Sequence, residues 1–325
     1  MKKLMSVAKI AGIMFVFIWC GCTSDAPRDN PLDSTNGMQV TGKVERLYDN
    51  TGIKNAMLLL KPTTKSTISA ADGTFTIENV SPGSYTLVCQ AEGFAPDSIV
   101  MDIQQSRTAS FRLNGLPFFR SISVTTNHIS SFSAPNDSFF VLVNAAADDL
   151  DNRGDVKLVR YTMDAFSFAD TLFETNSQEK IFSSELTAGD LGISSIQQLS
   201  GKPFVFYVED LPGGVSASQE VFTTRIIERT PVGKEPQNVA ISGQGPINFK
   251  WLPVSQPYPF TFDIEIRRIN FSFFILIGEI QNIPAADTTA SFSGNLSQGE
   301  YFWTLFITDE YGNRSRSLEN PFIVQ

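Results

Sequence analysis

From residue 38 onward the apolar positions recur with a period of two, not three to four. Short runs rich in Val, Ile, Phe and Thr alternate with polar residues and stop at Gly, Pro, Asn or Asp. That period puts successive side chains on opposite faces of a strand. Strands of this length and spacing predict an all-β chain of three tandem β-sandwiches, over 38–115, 116–230 and 231–325, each expected to fold on its own. One short helix is predicted within 187–199, capped by Thr187.

The pattern differs before residue 38. Lys2 and Lys3 precede an apolar run, Ile10 to Trp19, too short to span a bilayer comfortably. The run ends Ile18-Trp-Cys-Gly-Cys22. This resembles a bacterial lipoprotein signal, which implies removal of 1–21 and acylation of Cys22 by chains such as palmitate. Residues 22–37 lack periodicity and are rich in Pro, Asp, Asn and Ser, the composition of a flexible tether. Thr23, not Asp, follows the cysteine. By the enterobacterial sorting rule the resemblance then implies a lipid anchor in the outer membrane, its face left open.

In the first unit, Asp72-Gly73 marks a tight turn, Phe75 and Ile77 alternate inward, Pro82-Gly83 turns the chain, and Tyr85 and Leu87 alternate inward again. With Gly93-Phe94 this resembles the carboxypeptidase regulatory-like domain, a prealbumin-like sandwich that implies an accessory module without catalytic residues. The second unit resembles a bacterial immunoglobulin-like domain in its strand order and loop chemistry. In the third, Trp251 and the Leu296-Ser-Gln-Gly-Glu-Tyr301 stretch resemble a fibronectin type III domain with a tyrosine corner.

Composition narrows the function classes. The chain of 325 residues has 25 Lys and Arg, 34 Asp and Glu, a net charge of −9 and a single histidine, His128. A nucleic-acid binder needs a basic footprint, so that class is excluded. One histidine and three cysteines cannot assemble the common zinc sites. No GxSxG, HExxH or phosphate loop is present, and no catalytic residue is assigned. His128, in a Ser/Thr/Asn-rich stretch, is expected exposed at a strand end. Cys89 alternates with Tyr85 and Leu87 and is expected in the core.

Most of the acidity lies in the second unit, with fifteen Asp and Glu against eight Lys and Arg. Its loop Asp148-Asp-Leu-Asp-Asn-Arg-Gly-Asp155 offers Asp149, Asp151 and Asp155 as oxygen ligands for calcium. As an EF-hand loop it fails, because Arg153 takes a ligand position and no Glu follows at the twelfth place. A solvated turn is the plainer reading, with calcium the alternative. If a cation binds, the loop should face the first unit. Arg153-Gly-Asp155 also spells an integrin-recognition triplet, which nothing else in the chain supports.

Phe271-Ser-Phe-Phe-Ile-Leu-Ile277 is apolar on both faces; as an exposed strand it would aggregate or bind a partner, and the plainer expectation is that it packs in the core or against a neighbouring domain. Tyr258 and Tyr311 lie in loops that a sandwich of this class clusters at one end, so they are expected to be neighbours, as a partner site or an interdomain contact. Sugar platforms favour exposed Trp and Tyr, whereas this chain prefers Phe, with 27 against 7 Tyr and 3 Trp. The sequence therefore reads as a non-catalytic, lipid-anchored envelope protein that displays sandwich modules to a protein partner. The alternative is a surface polysaccharide-binding lipoprotein of an uptake system.

Overall fold

The computed structural model describes residues 37–132, 137–271 and 273–325. Cys22 and the signal and tether before residue 37 lie outside them. The described chain is nearly all strand. Apolar residues gather into three cores, spanning 40–113, 124–208 and 227–324. Ile227 already packs in the third core, a little before the expected boundary at 231.

In the first unit a three-stranded sheet, ordered Thr74–Val80, Met38–Arg46, Arg107–Leu113, faces a four-stranded one. The first and last strands pair in parallel, from Val40 opposite Arg107 to Arg46 opposite Leu113. Alternation drives the packing. Phe75 and Ile77 of one sheet and Leu58, Leu60, Leu87 and Cys89 of the other are all buried in one core. Burial pushes the Cys89 thiol up to about 11, so it is an inert core residue.

The second and third units are not separate beads. Strand Arg314–Arg316 of the third unit pairs in parallel with Pro117–Ser130 of the second, at Asn127, His128 and Ile129. One sheet of ten strands, among the described residues, thereby runs through both. Asn313, fully buried, ties the seam. Its Oδ1 accepts from the Thr126 backbone N–H at 2.9 Å, and its Nδ2 donates to Thr224 Oγ1 at 2.9 Å. Ser315 Oγ donates to the Arg229 carbonyl at 2.9 Å, and an Arg316 nitrogen donates to the Ser130 carbonyl at 2.9 Å. The expectation of three independent modules gives way here, because backbone pairing joins two of them.

His128 lies in this seam and is buried, not exposed. Its ring stacks on Phe139 with centroids 3.9 Å apart, Nδ1 sits 3.1 Å from the Ile227 carbonyl, and Nε2 contacts Asp137. Parallel pairing with the third unit covers what would otherwise be a solvent-facing strand end. The short helix is a 3-10 turn, Ile196–Leu199, capped by Ser195, whose side chain accepts from the Gln197 N–H. Thr187 instead ends a strand, and its hydroxyl and N–H both bond Asp190.

Two units share a local device. In Ser81-Pro-Gly-Ser-Tyr85 and Ser297-Gln-Gly-Glu-Tyr301, the tyrosine hydroxyl donates to the carbonyl of the serine four residues back, at 2.9 and 2.8 Å. Each clasp closes the loop entering a central strand.

Asn313→Ala should destabilise the protein by about 2–3 kcal/mol, since it strands the buried Thr126 N–H and removes a donor to the buried Asp309 carboxylate. Calorimetry should show the second and third units melting in one transition, with the first unit separate. Tyr85→Phe and Tyr301→Phe should each lose about 1 kcal/mol, in different transitions. Three transitions, or one for the whole chain, would contradict this layout.

Candidate functional site

The chain meets itself at two junctions, and the predicted site residues other than Cys22, which lies outside the described residues, are found in them. At the first, strand Asp137–Asp149 ends in the acidic loop, and a 3-10 turn, Arg153–Asp155, returns the chain into Val156–Met163. This brings one carboxylate oxygen each from Asp149, Asp151 and Asp155 within 4.8 Å of one another. Each aspartate spends its other oxygen on the protein. Asp149 accepts from the Asp151 N–H at 2.7 Å, Asp151 from the Gly115 N–H at 2.9 Å, and Asp155 from the Tyr48 hydroxyl at 3.3 Å. Tyr48 and Gly115 belong to the first unit or its last residue, so the loop faces that unit.

Leu150 fastens the same contact. A Cβ on Gly115 would sit 2.9 Å from its Cβ and 3.0 Å from the Asp151 nitrogen, so the approach requires glycine there, and Gly93, at a φ of +77°, turns against its Cδ1. Asp210, wholly buried, lies alongside and accepts from Asn114 Nδ2 at 2.7 Å and from the Gly214 N–H at 2.5 Å. Burial first, then the neighbouring charges of Asp151, Asp155 and Asp210, push the Asp149 carboxyl up to about 6. Burial also raises Asp155. Arg153 offers no relief. Its guanidinium points to Asp148, at 3.1 Å, and Glu179, at 2.8 Å.

The second junction holds the tyrosines. Tyr258 and Tyr311 both lie against Arg225, whose guanidinium carbon is 3.9 Å from one ring centre and 5.4 Å from the other. Arg225 also donates to the buried Asp309 carboxylate at 2.7 Å and to Glu310 at 3.0 Å. The structure thus brings the two rings together on a cation from the end of the second unit. Arg225 was not legible in the sequence, since no motif or spacing marks it.

The segment 271–277 departs from expectation. Phe273–Pro284 is the last strand of the ten-stranded sheet and, among the described residues, pairs only with Phe260–Asn270. Phe273 and Phe274 are 56% and 57% exposed, and Ile275, Leu276 and Ile277 about 40%. A strand at a sheet edge has one neighbour instead of two. The following strand, Thr289–Phe292, belongs to the facing sheet, so the outer half of this segment is not covered. Trp251 and Trp303 are buried in the third core, and Trp303 donates to the Pro236 carbonyl at 2.7 Å. Neither is a sugar platform.

Residues 39–114 match the family model of the carboxypeptidase regulatory-like domain. No curated protein matches the chain. Among solved structures it is similar to a chain of a type II cohesin–X–dockerin complex from Acetivibrio cellulolyticus, at 18% identity and a TM-score of 0.23. That match covers 24% of this chain and 58% of the other, so it spans little more than half of that protein. A DUF3823 family protein from Bacteroides ovatus is similar at 14% identity over 57% of this chain and 98% of that one, with a TM-score of 0.25. The FN1–FN3 domains of chicken CNTN1 are similar at 10% identity over 89% and 99%, with a TM-score of 0.33.

Arg225→Ala should lower the shared melting transition of the second and third units by about 2 kcal/mol, because Asp309 loses its cation while buried. Arg225→Lys should recover less than half, lacking the planar fork that serves two carboxylates and two rings. Tyr258→Ala with Tyr311→Ala should widen the scattering envelope. An unchanged envelope and transition would remove the junction role.

Proposed function

We propose that this chain is a non-catalytic, lipid-anchored protein of the outer membrane that presents its third sandwich to another envelope protein. The Cys22 signal and the tether supply the anchor and its reach. The modules supply a stiff support, with the ten-stranded sheet spanning two of them.

The observation that carries the reading is the exposed apolar edge from Phe273 to Ile277. Five successive apolar residues on an unprotected edge are a liability in a free protein, where charges or proline normally blunt such strands. A partner strand could add to that edge, its backbone pairing with the free N–H and C=O groups and its side chains covering Phe and Ile. Sugar recognition would call instead for flat aromatic faces with polar rims, and both described tryptophans are buried.

In cells, a photoreactive residue at position 275 should cross-link to a protein of the envelope. Leu276→Lys should reduce that product about tenfold or more while leaving the melting curve unchanged. Cross-linking that yields no protein adduct, together with binding on a glycan array, would replace this reading by the polysaccharide one. Cys22→Ser should release the protein from membranes. Retention of that variant through a high-salt wash would exclude the lipid anchor.

A further inference from the structure

The acidic loop has a property that a solvated turn lacks. Asp149 is 6% exposed and Asp155 3%, and in each the oxygen Oδ2 is buried with no donor reaching it among the described residues. Asp151 Oδ1 is left bare in the same way, and so is Oδ1 of Asn114, whose Nδ2 is spent on Asp210. Four acceptor oxygens, from two units, are thus buried at one junction without a hydrogen to share. Water-exposed turns do not strand acceptors, and folded proteins rarely bury them unpaired. Three of these groups carry negative charge, Asp210 adds a fourth, and the one arginine of the loop is turned away. Burying like charges together without a counter-charge is strongly unfavourable.

A hard divalent cation answers both defects. All the donors are oxygen, with no nitrogen or sulfur side chain among them, the set that calcium takes and that copper or zinc does not favour. The three carboxylate oxygens span no more than 4.8 Å. Oxygens on opposite sides of one calcium ion lie about 4.8 Å apart, at ~2.4 Å from the metal each. The sequence-level objection also falls away, because Arg153 occupies a ligand position in the sequence only. Its side chain leaves the loop, and Asn114, from another unit, offers a bare oxygen at the same junction.

We propose that a calcium ion binds at the junction of the first and second units, held by Asp149, Asp151, Asp155 and the side-chain oxygen of Asn114, with water completing its shell. The ion then sets the angle between the two units. Asn114 is the last side chain before Gly115, while the aspartates belong to the next sandwich, so binding draws the hinge closed. The proposal is independent of which partner the third unit takes.

The full chain, stripped with chelator and dialysed against radioactive calcium, should bind one ion per molecule. Millimolar calcium should raise the melting temperature by mass action, and magnesium at the same concentration should raise it less. Asp155→Asn and Asp151→Asn should each weaken binding by about tenfold or more, whereas Glu228→Gln, at an exposed acid elsewhere, should not. Without metal, Asp155→Asn should melt no lower than the unmodified chain, since it removes a repelling charge, which separates ligand loss from misfolding. Terbium supplies the location. Tyr48 bonds Asp155 directly, so terbium emission excited through tyrosine should fall in Tyr48→Phe while one calcium still binds. No bound calcium, an equal response to magnesium, or terbium emission indifferent to Tyr48 would overturn the proposal.

Discussion

Three backbone pairings, Arg314 with Asn127, Ser315 with His128 and Arg316 with Ile129, decide how the larger part of this molecule behaves. They are parallel, so they cannot form within a local hairpin and must be made between distant parts of the chain. Everything at that seam leans on them. Asn313 reaches Thr126 and Thr224, His128 is sealed against Phe139, and Arg225 is carried to where Tyr258, Tyr311 and Asp309 receive it. Without the pairing, Asp309 would be a buried carboxylate without a cation and His128 an exposed ring on a frayed strand.

The two junctions solve the same problem by different means. Between the second and third units the backbone ladder does the joining, and side chains fill around it. Between the first and second, among the described residues, one backbone hydrogen bond crosses, from the Leu116 N–H to the Gly93 carbonyl at 2.8 Å, and the rest is side-chain contact: Leu150 against two glycines, Tyr48 on Asp155, Arg46 on the Leu150 carbonyl. A ladder fixes an angle by repeated, directional bonds. A side-chain contact leaves the angle to whatever charge and packing sit there, which is why the unpaired acids matter at this end and, among the described residues, have no counterpart at the other.

Alternation made the strands and the sandwich class legible, because a period of two follows from backbone geometry alone. The Tyr301 corner was readable for the same kind of reason: a hydroxyl that reaches four residues back is a local event. Its twin at Tyr85 carried the same Ser-x-Gly-x-Tyr signature, which a direct comparison of the two stretches would have disclosed. What failed to show was everything set by contacts across the chain. His128 reads as polar and exposed until the third unit covers it. Asn114 has no motif, and only its position beside Gly115 places it near the acids. Phe271 to Ile277 reads as core because apolar residues usually are, and nothing local says that its strand lies at a sheet edge.

The seam between the second and third sandwiches also bears on how such a chain can be inherited. Modules of this kind are generally pictured as exchangeable cassettes, swapped by recombination at the linkers. Here a cut near residue 230 would part Arg314–Arg316 from the strand that it extends, and would leave Ile227 and Arg225 on the wrong side of the break. The span that can travel between genes is therefore the pair, 116–325, while the first sandwich, joined by side chains and a short crossing, is the part that shuffling could exchange.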